Sequence, residues 1–280
     1  MIQLHRYSEV QEFKNQVEPL LAKNEVLHNL ALGILYSLHE NSKPNFMGVI
    51  SKDGRAALVL LQTHPKQIIL SQIQQLTEGE LSEAAELLQE IAVPGLVGER
   101  QTVLYLSQKL AALKNQEASL KMDQRIYRLG KVKKAADAEG MLVKAKLEHL
   151  PLVTEWIWAF MGGIGEPVSK EQAVKTGEAF IKAEWLFLWE ANGKYVSIAN
   201  ATRPTDHNIT INFVYTPQKE RKKGYASSCV SSLSQLMLDK GFQTTSLYTD
   251  MTNPTSNKIY MEIGYEHIAD SALVLFREKK

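Results

Sequence analysis

VYTPQKERKKGYASSCVSSLSQLMLDKGF, residues 214–242, joins the end of a β-rich run, a basic turn and a helical pattern in one piece of chain. Lys219, Arg221, Lys222 and Lys223 crowd the turn, and Gly224-Tyr225-Ala226-Ser227 opens the helix, with Gly241 suited to its far end. A helix N-terminus carries unpaired backbone N–H groups and about half a positive charge. An anion can approach it only where the first turn is small, as Gly224 and Ala226 are here, and the Ser227 hydroxyl adds a donor. Two readings stand side by side: a solvated basic turn, or an anion site built from strand, loop and helix. The stretch is neither a Walker A loop, since G-x-x-x-x-G-K-[ST] is absent, nor a dinucleotide fingerprint, since G-x-G-x-x-G is absent.

The rest of the chain narrows the choice. With a net charge of +1 over 280 residues, no global field favours nucleic acid or an anionic membrane, so the local cluster is informative. The length suffices for two domains, and the 44% hydrophobic content is that of a globular protein. The single cysteine, Cys229, excludes an intramolecular disulfide framework and reads as a small packed apolar residue. The first residues lack the pattern of a signal peptide, and no apolar run is long enough to span a bilayer, so a cytoplasmic protein with no membrane partner is expected. The seven histidines show no metal-binding spacing, and no metal is expected.

Periodicity divides the chain into similar halves. The first reads as two helices, a hairpin turning at Asp53-Gly54, a strand, a helix over "GELSEAAELLQEIA", a short strand or loop, and a further helix. A polar stretch, Leu129 to Gly140, is the linker. The second half repeats the order, with its hairpin turning at Asn192-Gly193. Gly54 is followed by Thr63 and Pro65, and Gly193 by Thr202 and Pro204, at the same distances of nine and eleven residues. The expectation is an α/β (α+β) protein of two domains, 1–130 and 140–280, each a mixed, mostly antiparallel sheet flanked by helices. Only the second holds the basic glycine stretch.

Arg221-x-x-Gly224-x-Ala226 has the spacing of the [RQ]-x-x-G-x-[GA] element of the GNAT acetyltransferase superfamily, and the flanking "VYTP" and "LYTDMTNPTSNKIYMEIGY" resemble that family's fourth strand, fifth strand and fourth helix. The resemblance covers roughly residues 140–280. The first half resembles the family in element order alone, as in tandem proteins whose N-terminal copy has degenerated. Lysines at 222 and 223, where members often carry a glycine, depart from the pattern.

The resemblance implies that acetyl-coenzyme A is the cosubstrate, with its pyrophosphate on the N–H groups of Arg221, Lys222, Lys223, Gly224, Tyr225 and Ala226, and Ser227 beside them. Its pantetheine would lie along Phe213, Val214 and Tyr215, and its adenosine phosphate near the lysines. The acceptor would be a small-molecule or peptide amine, and the protein a monomer or homodimer. Asn253 suits an N-cap, Pro254 a first helical position, and Asn257 and Tyr260 share a helix face with Asn253 one turn back; both asparagines are assigned to cofactor binding. Ile259 and Ile263 form the stripe expected to pack on the sheet. The family match makes Tyr260 the acid that protonates the departing thiolate. Asp250, Glu190 and His207 are candidate bases, a water chain is an equal candidate, and none is assigned. A non-catalytic acyl-coenzyme A binding or sensing protein that uses the same pocket is an alternative, and a ribosome- or protein-associated interaction module that docks through the N-terminal half is a third. Of Trp156 and Trp158, two apart on one helix, at least one is expected to pack inward.

Overall fold

The computed structural model describes residues 1–279. The chain divides into two compact units that are not contiguous in sequence. The first comprises Met1–Ile126, Thr249–Asn253 and the segment from His267 onward; the second comprises Tyr127–Tyr248 and Pro254–Glu266.

The first unit contains β1 (Ile2–Arg6), α1 (Val10–Leu21), α2 (Asn29–Ser37), β2 (Phe46–Lys52), β3 (Arg55–His64), β4 (Gln67–Gln72), α3 (Glu78–Gln89), β5 (Gly95–Glu99), α4 (Arg100–Leu113) and most of β6 (Gln116–Leu129). Its ladder runs β1-β2-β3-β4-β5. All pairs there are antiparallel except β4–β5. The next strand comes from the far end of the chain: β12 (Glu266–Glu278) pairs antiparallel with β5, Ser271 to Leu275 lying against Glu99 to Gly95. Successive residues of β3 serve opposite faces, Leu58 and Leu60 joining one core cluster and Val59 and Leu61 the other.

The second unit contains β7 (Met141–Lys144), α5 (Leu150–Gly163), α6 (Lys170–Lys182), β8 (Leu186–Ala191), β9 (Lys194–Thr202), β10 (Asn208–Tyr215), α7 (Tyr225–Asp239), β11 (Thr244–Asp250) and α8 (Pro254–Ile263). Its ladder runs β11-β10-β9-β8-β7, with only the β10–β11 pair parallel. The mixed, mostly antiparallel architecture expected for each half is thus present. Both hairpin turns have the expected geometry: φ is 49° and 76° at Asp53-Gly54, and 51° and 68° at Asn192-Gly193. Sequence reading missed β1 and β6, the latter a 14-residue strand.

The stretch read as a linker is a strap seated on the second unit. The Lys133 N–H donates to the Ile263 carbonyl at 2.7 Å, and the Ser231 hydroxyl donates to the Lys134 carbonyl at 2.6 Å. The N–H groups of Asp137 and Ala138 donate to Ser228 Oγ at 3.2 and 3.0 Å, and Trp189 Nε1 donates to the Glu139 carbonyl at 3.1 Å. Val132 packs against the core cluster beneath α7 and α8.

Candidate active site

β10 pairs with β11 from Asn208 to Ile211, opposite Thr244 to Leu247, and there the register stops although β10 continues to Tyr215. Against β9, β10 holds an extra residue: Asn212 faces Asn200, whereas Tyr215 faces Ile198. Phe213 adopts φ 47°, left-handed and uncommon for a bulky residue. A bulge bends the strand that carries it, and this one coincides with the end of the parallel pairing. The backbone of residues 212–215 thereby leaves the β11 ladder.

The bulge also sorts side chains. Phe213 is buried against Phe160 of α5 and Phe180 of α6, ring centroids 5.2 and 5.8 Å away. Val214 joins the opposite cluster, which contains Tyr225, Cys229 and Tyr260. Tyr215 stacks at a tilt 5.9 Å from Trp156.

Beyond β10 the turn is tied to its own strand. The Ser197 hydroxyl bonds the Tyr215 carbonyl and Thr216 Oγ1, and Arg221 Nε donates to the Thr216 carbonyl at 3.0 Å. Lys223 pairs with Glu220 at 2.8 Å, which meets part of its charge. Lys222 and Gly224 are both left-handed, with φ 63° and 80°. The turn enters α7 with Gly224 as N-cap, without a side-chain cap and without an acid in the first turn. Arg221, Lys222, Lys223 and Gly224 are exposed, Tyr225 and Ala226 half-buried, and Ser227 buried. A helix so begun leaves its first N–H groups for water or an anion. Asp137 of the strap lies close by, its carboxylate oxygen 3.7 Å from where a Cβ at Gly224 would stand. That carboxyl is held below the usual range by Lys134, 3.1 Å away, and by the Ser228 hydroxyl.

The corresponding turn of the first unit is closed. Thr77 and Glu80 form a capping box at the start of α3, with Glu78 in the same first turn. The turn is stitched back by Gln74, whose amide donates to the Arg55 and Ala56 carbonyls.

On α8 the structure changes one expectation. Asn257, Tyr260 and Ile263 form the buried face, while Ile259 is only half-buried. The ring of Tyr260 is a large apolar body, and it, not Ile259, fills the space under the helix. Burial pushes the Tyr260 hydroxyl well above an ordinary tyrosine pKa, helped by Tyr265 and Cys229, so it holds its proton at neutral pH. That hydroxyl makes no hydrogen bond among the described residues. The neighbouring Tyr265 hydroxyl, pushed up to about 12 by burial, shares 2.8 Å bonds with Ser234 and Thr245. Burial also pushes the Cys229 thiol up to about 12, which suits a packed residue and not a nucleophile. Asn257 is buried, and its Oδ1 accepts from the Tyr127 hydroxyl at 2.9 Å, a bond within the protein that the sequence did not signal. Asn253 is exposed and precedes α8, in a segment that belongs to the first unit; its N–H donates to the Asp250 carbonyl.

Of the candidate bases, Asp250 and His207 are exposed and Glu190 is half-buried. Asp250 Oδ1 accepts from the N–H and hydroxyl of Thr252, as a turn residue does. Trp156 packs inward and Trp158 is 49% exposed, as their spacing requires. Among the described residues no cluster could hold a metal ion, and no helix is long and apolar enough to cross a membrane.

Residues 150–265 match the model of the acetyltransferase (GNAT) family. No curated protein sequence matches the chain significantly. Among solved structures, an acetyltransferase from the GNAT family of Colwellia psychrerythraea superposes with a TM-score of 0.64 at 13% identity, over 99% of this chain and 100% of that one. A Drosophila protein gives 0.68 at 14% identity, over 97% and 98% of the two chains. A tandem GNAT protein from the clavulanic acid biosynthesis pathway gives 0.53 at 12% identity, over 99% and 98%. The family match thus covers residues 150–265, and the chain as a whole shares the fold of solved GNAT structures, a tandem GNAT protein among them.

Proposed function

We propose that this protein transfers an acetyl group from acetyl-coenzyme A to a primary amine, using the second unit. The observation that carries the reading is the uncapped, acid-free start of α7, set directly after a strand that leaves its parallel partner at a bulge. The pyrophosphate would lie on the N–H groups from Lys222 to Ala226, where Gly224 permits close approach, the Arg221 N–H being bonded to the Gln218 carbonyl at 3.3 Å. The pantetheine amides would take up the backbone of Phe213, Val214 and Tyr215 as a neighbouring strand would. The reading also holds the first unit to be a copy that does not bind the cosubstrate, since two acids already occupy the first turn of α3.

The chemistry needs few groups. The amine nitrogen, freed of its proton to water, attacks the thioester carbonyl carbon. A backbone N–H near the bulge stabilises the oxyanion that forms. The C–S bond then breaks as the Tyr260 hydroxyl passes its proton to the leaving sulfur, and the attacking nitrogen, which carries one proton more than the amide, releases it to water. Tyrosine regains a proton from water before the next turnover.

The test is a thiol-release assay with acetyl-coenzyme A and a broad amine panel, run on the native protein and Tyr260→Phe. The turnover number is expected to fall roughly 100-fold or more in the variant, with a much smaller change in the Michaelis constant for acetyl-coenzyme A. Equal turnover, where chemistry limits the rate, contradicts the role of Tyr260. Acetylation of no amine at all, with coenzyme A still bound, turns the reading towards a sensor.

A further inference from the structure

We infer that the acceptor amine carries an aromatic or bulky apolar body, because a wall of aromatic rings stands beside the bulge of β10. The inference rests on the proposed acetyl transfer, since it takes the thioester to lie along residues 213–215. Phe213 and Tyr215 come from the bulged end of β10, Trp156 and Phe160 from α5, and Phe180 from α6. Their rings meet at centroid distances of 5.2 to 5.9 Å. Trp156 and Phe213 are buried and anchor the wall, whereas Phe160, Phe180 and Tyr215 are only half-buried and present ring surface. Sequence alternation would have sent Phe213 to the α7 side; the extra residue in β10 is what turns it to this face.

Asn212, next to the bulge, accepts from the Asn200 amide at 2.9 Å, and the other polar atom of the Asn200 amide is buried without a partner. The two amide groups can be interchanged without altering that: whichever way Asn200 is turned, one of its polar atoms is unmatched. This gives hydrogen-bonding capacity for one small polar group. The five rings bring no carboxylate to pair with the second and third charges of a polyamine or aminoglycoside. One aromatic surface therefore selects the body of the acceptor.

The experiment compares 2-phenylethylamine, hexylamine and spermidine as acceptors for the full chain, with coenzyme A binding measured first by calorimetry. The expected result is that kcat/KM for 2-phenylethylamine exceeds that for spermidine by at least roughly tenfold, the discrimination of a well-fitted apolar contact. Phe160→Leu, which keeps apolar volume and removes the ring, is expected to raise KM for 2-phenylethylamine and leave coenzyme A affinity unchanged. Where no amine turns over, calorimetry of 2-phenylethylamine with the coenzyme A complex decides, and binding stronger than spermidine's supports the inference. Preference for spermidine in either measurement, or indifference of the Phe160→Leu variant, overturns the inference while leaving acetyl transfer intact. Failure of coenzyme A to bind overturns the acetyl-transfer reading, and the inference falls with it.

Discussion

At the residue scale, burial decides which polar groups keep their protons. His28 of the first unit is largely buried, and loss of hydration lowers its pKa from 6.5 to about 4. Between about pH 6.5 and about 4 the unfolded chain accepts a proton that the folded imidazole refuses. Stability present above pH 6.5 is therefore lost as pH falls through that window, by on the order of 3 kcal/mol in all. Denaturant unfolding of the native protein and His28→Gln across this range is expected to show a shallower pH slope in the variant; equal slopes contradict the burial account. Tyr260 illustrates what sequence can and cannot tell about one residue. Its spacing from Asn257 was legible and places both on one helix face. That this face is the buried one was not legible, because it depends on how α8 rolls on its sheet. Removing the hydroxyl in Tyr260→Phe breaks no hydrogen bond within the protein, so the variant is expected to unfold within about 0.5 kcal/mol of the native chain.

At the element scale, the hairpins and most helices were legible because they have local signatures: Asp-Gly and Asn-Gly turns, Thr77 and Ser169 caps, and apolar residues at helical spacing. The bulge in β10 has no such signature. Phe213 is neither glycine nor asparagine, and "INFVYT" reads as an unbroken strand, so only the pairing with β9 reveals the extra residue. β6 was missed because it alternates weakly and is rich in charged residues. The strap was legible as a connection but not as a seated one, since its contacts are backbone groups meeting the small hydroxyls of α7. Ser228→Ala leaves the Asp137 and Ala138 N–H groups without their partner and is expected to cost about 1–2 kcal/mol. Hydrogen exchange at those two amides is expected to quicken in the variant; unchanged protection there contradicts the anchoring role.

At the scale of the whole molecule, the chain repeats its element order, yet its units are not two successive pieces. β12 lies at the C-terminus and completes the sheet of the first unit, burying Ala272, Leu273 and Val274 against it. Sequence alone shows a strand there and cannot show which sheet receives it, because pairing across the chain leaves no local trace. A chain ending at Glu266 is expected to lose protection from hydrogen exchange first in β5 of the first unit, although β5 lies more than 150 residues away in sequence. Loss confined to the second unit contradicts that assignment. The family resemblance was legible from the Arg221-Gly224-Ala226 spacing and its flanks, and the family model and the fold agree with it. The claim on which the functional account rests is that the start of α7 binds the pyrophosphate of coenzyme A. Calorimetric titration of coenzyme A into the full chain and into Gly224→Asp tests it most directly, with circular dichroism to verify that the variant folds. The account expects saturable binding by the native protein, weaker binding by Arg221→Ala, and none by a folded Gly224→Asp. Undiminished binding by that folded variant would contradict it.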